Sequence, residues 1–241
     1  MRTHTYAGWP MTPMVKRLII INMIVWVVEL VTKYWLHTLI PIELLAVTPD
    51  RVFPGWFVWQ PFTYMWLHSV DDLSHILLNM LFLWMFGATL ELSWGSKAFL
   101  RFYLYCGVGA GLVVFSSGKI FAPNIPVLGA SGAIYGLVVA WALAYPNRVI
   151  YFFGLFPMKG KHFVLIPIGF ALFDFITRAR GVSHAAHLGG MAVGALLVTG
   201  YWRPDRIRKK LRYWWLRRKL KVLEGSSGNR PSNPPGGGYW H

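Results

Sequence analysis

The sequence predicts an all-α membrane protein built as a bundle of six transmembrane helices, and three observations carry that prediction. Apolar residues make up 55% of the 241 residues and charged residues only 14%, against about 25% charged in an average soluble domain. That is too little charge to coat a water-facing surface. Apolar runs recur along the chain, several near the ~20 residues that a membrane-crossing helix needs. Thirteen Trp, sixteen Phe and eleven Tyr point the same way. The same composition excludes intrinsic disorder for most of the chain, since disorder needs low hydrophobicity. The net charge of +15 does not indicate nucleic-acid binding, because ten of the 24 Lys and Arg fall between residues 203 and 221. A basic cluster beside apolar spans reads as a cytoplasmic membrane flank. The single Cys106 excludes an internal disulfide and any cysteine-only metal site.

The elements follow in order. Residues 1–17 form a polar N-terminal segment with Arg2, Lys16 and Arg17. Residues 18–36 are the first span, its charges Glu29 and Lys33 toward the far end. A signal peptide is the rival reading, but no small-residue cleavage site follows. Residues 37–72 are a long connection, too polar for a span and too aromatic for an ordinary solvated loop. Trp56, Trp59, Tyr64 and Trp66 suit a loop lying in the membrane interface. Residues 73–92 are the second span and 98–117 the third. Residues 131–145 are the fourth, 162–176 the fifth and 184–202 the sixth. Gly190 and Gly194 lie on the sixth at small-xxx-small spacing, which lets helices approach closely.

Positive charge sets the orientation. The N-terminus, Lys97 with Arg101, Arg148 with Lys159 and Lys161, and the basic 203–221 segment share one side, which should be cytoplasmic. Both termini then lie inside, and the compact form suggests a bacterial inner membrane. Residues 18–202 form the core. Residues 203–241 read as a basic interfacial helix, lying on anionic lipid, followed by a disordered Gly-, Ser-, Asn- and Pro-rich tail.

Polar residues inside apolar spans are costly and point to function. His75 and Asn79, four apart, share a face near the start of the second span. Gly129-Ala130-Ser131-Gly132 opens the fourth. There Ser131 meets unpaired backbone N–H groups and the positive end of the helix dipole, a position suited to a nucleophile whose attack creates an oxyanion. A plain Ser helix cap is the ordinary alternative. The fourth span is short: 16 residues to Pro146 give ~24 Å at ~1.5 Å each, less than a ~30 Å hydrocarbon core. Ser131 is therefore sunk below the outer surface, in a cavity open to water. His187 starts the sixth span at a matching depth, and a Ser and a His so placed can form a nucleophile–base pair.

At these residues the sequence resembles the rhomboid family of intramembrane serine proteases. The matches are Gly129-Ala-Ser131-Gly132 with Tyr135 four residues on, His75-x3-Asn79, Ala186-His187-x2-Gly190-x3-Gly194, and Glu91-x3-Gly95 after the second span. They cover roughly residues 59–194, in the family's order. The resemblance implies Ser131 as nucleophile and His187 as general base, then general acid. It implies His75 and Asn79 as side-chain donors to the oxyanion beside the Ser131 N–H, with Gly129 supporting, and Tyr135 beneath the His187 ring. Two features depart from the family: Trp59-Gln60 stands where Trp-Arg is common, and two extra residues occur near Asp71 and Asp72.

Three further readings carry less weight. Asp174 could serve as a triad acid, but the family works as a dyad, so a structural role is favoured. His184 could replace His187 as base, but the Ala-His-x2-Gly pattern selects His187. Four histidines could suggest zinc, yet no HExxH occurs and no carboxylate has a metalloprotease spacing. The expected function is hydrolysis of peptide bonds in or beside the transmembrane segments of single-span membrane proteins, with no cofactor and no metal. The fifth span and residues 177–183 would flank lateral access. A non-catalytic rhomboid-like protein that binds membrane helices is the alternative. A small transporter is a third class, but the inner halves of spans two, four and six are apolar.

Overall fold

The computed structural model describes residues 10–152, 156–177 and 183–200. The basic 203–221 segment, the tail and the loop at 178–182 lie outside them. Helix α1, Pro13–Tyr34, opens with proline at its first position, where a missing N–H costs nothing. Its cap comes from a distant residue. The Glu91 carboxylate accepts the N–H groups of Met14 and Val15 at 2.9 Å and the hydroxyls of Thr12 and Ser96. A negative group at a helix N-terminus meets both the orphan donors and the dipole. Glu91→Ala is expected to destabilise the fold by about 2 kcal/mol or more, since charge-assisted bonds are lost and buried donors stranded. The midpoint of thermal unfolding in detergent checks this, and an unchanged midpoint would contradict it.

The connection at 37–72 is more ordered than the sequence suggests. It folds into three short helices, α2 (Ile40–Leu45), α3 (Pro49–Val52) and α4 (Gln60–Thr63), and a 3-10 turn at Tyr64–Trp66. Gln60 is fully buried. Its Oε1 accepts the Thr48 N–H at 3.0 Å, and its Nε2 donates to the carbonyls of Glu43 and Leu44. Trp59 donates to the Leu44 carbonyl, and the Thr63 hydroxyl to that of Leu45. A neutral amide here closes the turns that join α2, α3 and α4.

A 22-residue helical stretch, Leu73–Trp94, comes next. It comprises α5 (Leu73–Phe82), a π-helical turn at Leu83–Gly87 and α6 (Ala88–Trp94). Asp71 and Asp72 anchor its start. Asp72 caps α5 by accepting the Ser74 N–H at 3.0 Å, and Asp71 pairs with Lys33 and Tyr34 of α1. The Lys33 ammonium holds the Asp71 carboxyl below its ordinary range, and the Ser74 hydroxyl does the same for Asp72. Helix α7 spans Ser96–Phe121. It and Leu73–Trp94 are long and apolar enough to cross a membrane.

Helix α8, Ser131–Ala144, is shorter. Every residue from Gly132 to Ala142 except Tyr135 is buried, so α8 is the central helix, apolar all round as such a helix must be. An antiparallel hairpin follows, β1 (Val149–Phe152) against β2 (Phe156–Lys159), with Val149 opposite Lys159. The sequence gives no sign of this small sheet in an otherwise helical chain. The expected fifth span divides into α9 (Gly160–Phe163) and α10 (Leu165–Thr177), and α11 is Ser183–Thr199. Large apolar side chains face outward on several helices, among them Ile24, Leu77, Phe170 and Phe173. An outer surface of that kind is stable in lipid and not in water.

Candidate active site

The site begins with backbone contact between α8 and α11. A Cβ placed on Gly190 would lie 1.9 Å from the Gly132 carbonyl oxygen, and one on Gly194 would lie 2.7 Å from Gly136 Cα. Both helices advance by four residues between the two contacts, so they run parallel and their N-termini share one end. Ser131 precedes Gly132 by one residue and His187 precedes Gly190 by three. The glycine pairs thereby bring the two side chains together, with His187 Nε2 2.9 Å from Ser131 Oγ.

Ser131 is the first helical residue of α8, and Ala130 occupies the capping position. Its hydroxyl is engaged by His187 and is not the helix cap. The His187 ring lies flat on that of Tyr135, with centroids 4.1 Å apart and planes 2° from parallel. Among the described residues His187 Nδ1 has no hydrogen-bond partner. Stacking on Tyr135 orients the ring. The Asp174 side chain lies outside what is described. His184 stands one turn before His187 on α11, but the bond to Ser131 is made by His187.

His75 approaches from α5. Gly129 has φ +122°, and a Cβ there would meet His75 Nε2 at 2.8 Å and Ser131 Oγ at 3.8 Å. Only glycine suits that backbone and that gap. The His75 ring nitrogen Nε2 and the Ser131 hydroxyl thus border one small space over Gly129. The Ser69 N–H donates to His75 Nδ1 at 3.3 Å, which puts the ring proton on Nε2, the nitrogen that faces Gly129. Asn79 Nδ2 donates to the His75 carbonyl one turn earlier on α5, at 2.8 Å.

The loop that carries Gly129 is tied to the 37–72 connection. Val47 and Val127 exchange two backbone hydrogen bonds of 2.9 Å, and the Gly129 N–H donates to the Tyr64 carbonyl at 3.0 Å. The Tyr64 hydroxyl in turn donates to the Gly107 carbonyl on α7. Among the described residues no group of three or more His, Cys, Asp or Glu is arranged to hold a metal ion. Sequence reasoning assigned no role to Trp26, Glu29 or His68, which lie behind His75. The available signal was a carboxylate in an apolar span.

A rhomboid domain model matches residues 55–204. The chain is 32% identical over 132 residues to Rhomboid protein 1, mitochondrial, of Saccharomyces cerevisiae, covering 53% of this chain and 38% of that protein. It is 31% identical over 137 residues to Rhomboid protease GluP of Bacillus subtilis, covering 56% and 24%. It is 32% identical over 131 residues to the human presenilin-associated rhomboid-like protein, mitochondrial, covering 53% and 34%. The chain spans less than half the length of each of these relatives. The domain match takes in Ser131, His187, His75 and the glycine pairs that hold them, and the chain belongs to the rhomboid family.

Proposed function

We propose that the chain is an intramembrane serine endopeptidase that hydrolyses peptide bonds in or next to the transmembrane segments of single-span membrane proteins. The observation that carries this reading is the 2.9 Å contact between Ser131 Oγ and His187 Nε2 at the start of a buried helix. One of the similar proteins is named a protease, which supports the enzymatic reading.

In this reading Ser131 Oγ attacks the scissile carbonyl carbon while its proton passes to His187 Nε2. The carbonyl oxygen becomes an oxyanion over Gly129, facing the His75 Nε2–H and the Ser131 N–H, with Asn79 as the further donor that the family resemblance implies. Donors held in place before charge develops lower the barrier most, because they need no reorganisation. Collapse of the intermediate breaks the C–N bond, and the leaving amine takes the proton from His187. Water then repeats the sequence on the acyl-enzyme, with His187 as base.

Six helices cross the membrane in this reading: α1, Leu73–Trp94, α7, α8, α10 and α11, with both termini cytoplasmic. Short α8 leaves Ser131 at the floor of a water-filled cavity, and α10 flanks lateral access for a locally unwound substrate. The basic 203–221 segment rests on anionic lipid. A bacterial inner membrane gains no support from the relatives, two of which carry mitochondrial names.

The test is labelling with a serine-directed fluorophosphonate probe, together with cleavage of a transmembrane substrate in liposomes. The probe is expected to label the unmutated protein and not Ser131→Ala, and a metal chelator should leave cleavage unchanged. Absence of labelling in a folded sample would favour the non-catalytic helix-binding alternative.

A further inference from the structure

We propose that α1 is a positioning element for the oxyanion donor His75, acting through Trp26 and Glu29; this rests on the role given to His75 above. Trp26 and Glu29 are three residues apart and share one face of α1. Both grip the backbone just before α5. Trp26 Nε1–H donates to the Ser69 carbonyl at 3.1 Å, and Glu29 Oε2 accepts the His68 N–H at 2.9 Å. Between these fixed points lies the Ser69 N–H, the group that donates to His75 Nδ1. The clamp sets the direction of that N–H, and the N–H selects the ring tautomer that puts a donor over Gly129.

Glu29 is an expensive residue for this place. It is 3% exposed, and Oε1 has no hydrogen-bond partner among the described residues. One backbone hydrogen bond does not offset the burial of a carboxyl group in an apolar span. A leucine would pack there at lower cost, so its presence is explained by what it holds. The neighbouring His68 is also buried, with its ring centroid 5.4 Å from that of His75. Glu29 and His68 are therefore shielded from bulk water, where the bond between them is strengthened, while Trp26, Ser69 and His75 are half-buried.

The experiment compares Glu29→Leu, Glu29→Gln and Trp26→Phe with the unmutated protein in liposomes. It measures kcat and KM, and reads the His75 ring tautomer by nitrogen NMR of labelled histidine. Glu29→Leu is expected to lower kcat about tenfold, as a small displacement of a donor does, with KM little changed and the His75 signal moved toward a mixture of tautomers. Glu29→Gln keeps a carbonyl acceptor and should recover most of the rate. Trp26→Phe should fall between them, and it remains a test if Glu29→Leu does not fold. In a His75→Ala background Glu29→Leu should cost nothing further, because both act through one group. Unchanged kcat together with an unchanged ring signal in folded Glu29→Leu overturns the proposal. A shifted ring signal with undiminished cleavage supports the link from α1 and overturns the oxyanion role of His75.

Discussion

Ser131→Ala is expected to take cleavage to background, a loss of at least about 10³-fold, because the alanine methyl has no atom that can attack a carbonyl. His187→Ala should fall to a similar level. Without Nε2 the Ser131 proton has no acceptor at 2.9 Å, and an unassisted hydroxyl is a weak nucleophile. The double variant should be no worse than either single one, since both groups serve a single proton transfer. Initial rates of the four proteins in liposomes check all three statements. Ser131→Ala retaining a tenth of the rate would place the nucleophile elsewhere. His187→Ala retaining it would point to the neighbouring His184 as base.

The second large effect is expected at a residue that touches no substrate. Gly190→Ala puts a methyl 1.9 Å from the Gly132 carbonyl oxygen. Both sides of that contact are backbone, so no side chain can turn aside, and the helices must part by an ångström or more. Ser131 and His187 then lose their hydrogen-bond distance, and a shift of that size costs about 10²-fold in rate. Overpacking should also cost about 1–3 kcal/mol of stability. Gly169→Ala is the control. A Cβ there meets nothing within 4 Å, and alanine is the better helix former by about 1 kcal/mol. Unchanged kcat/KM in Gly190→Ala would mean that the two helices are not held as described.

Much of the site was legible in the sequence because its parts are polar residues in apolar surroundings. Ser131, His187, His75 and Asn79 draw attention there by their shared depth, and the roles expected of them came from the resemblance to the rhomboid family. The Gly190 and Gly194 spacing announced a close helix contact, and its partners Gly132 and Gly136 repeat the same interval. Other features were not readable, for definite reasons. Helix α8 is apolar on every side, so no periodic face says which neighbours it meets. The cap of α1 comes from Glu91, more than seventy residues away, and no local pattern encodes a partner at that distance. Gln60 looked like a loss of a family arginine, whereas its amide supplies both a donor and an acceptor to the turns around it. The charge of Glu29 was visible, but its partner is a backbone N–H, and every residue except proline offers one.

The glycine pairs between α8 and α11 also bear on how the protein meets bilayers of different thickness. Helices packed through long side chains can slide past one another as rotamers change, so a thinner or thicker membrane can shear them. Backbone resting on backbone has no rotamers to relax. Mismatch at the lipid boundary is then taken up by the outer helices, while the two that carry Ser131 and His187 tilt together as one body. Under the proposed function, membrane thickness is expected to act on how a substrate reaches Ser131 and to leave the Ser131–His187 geometry alone.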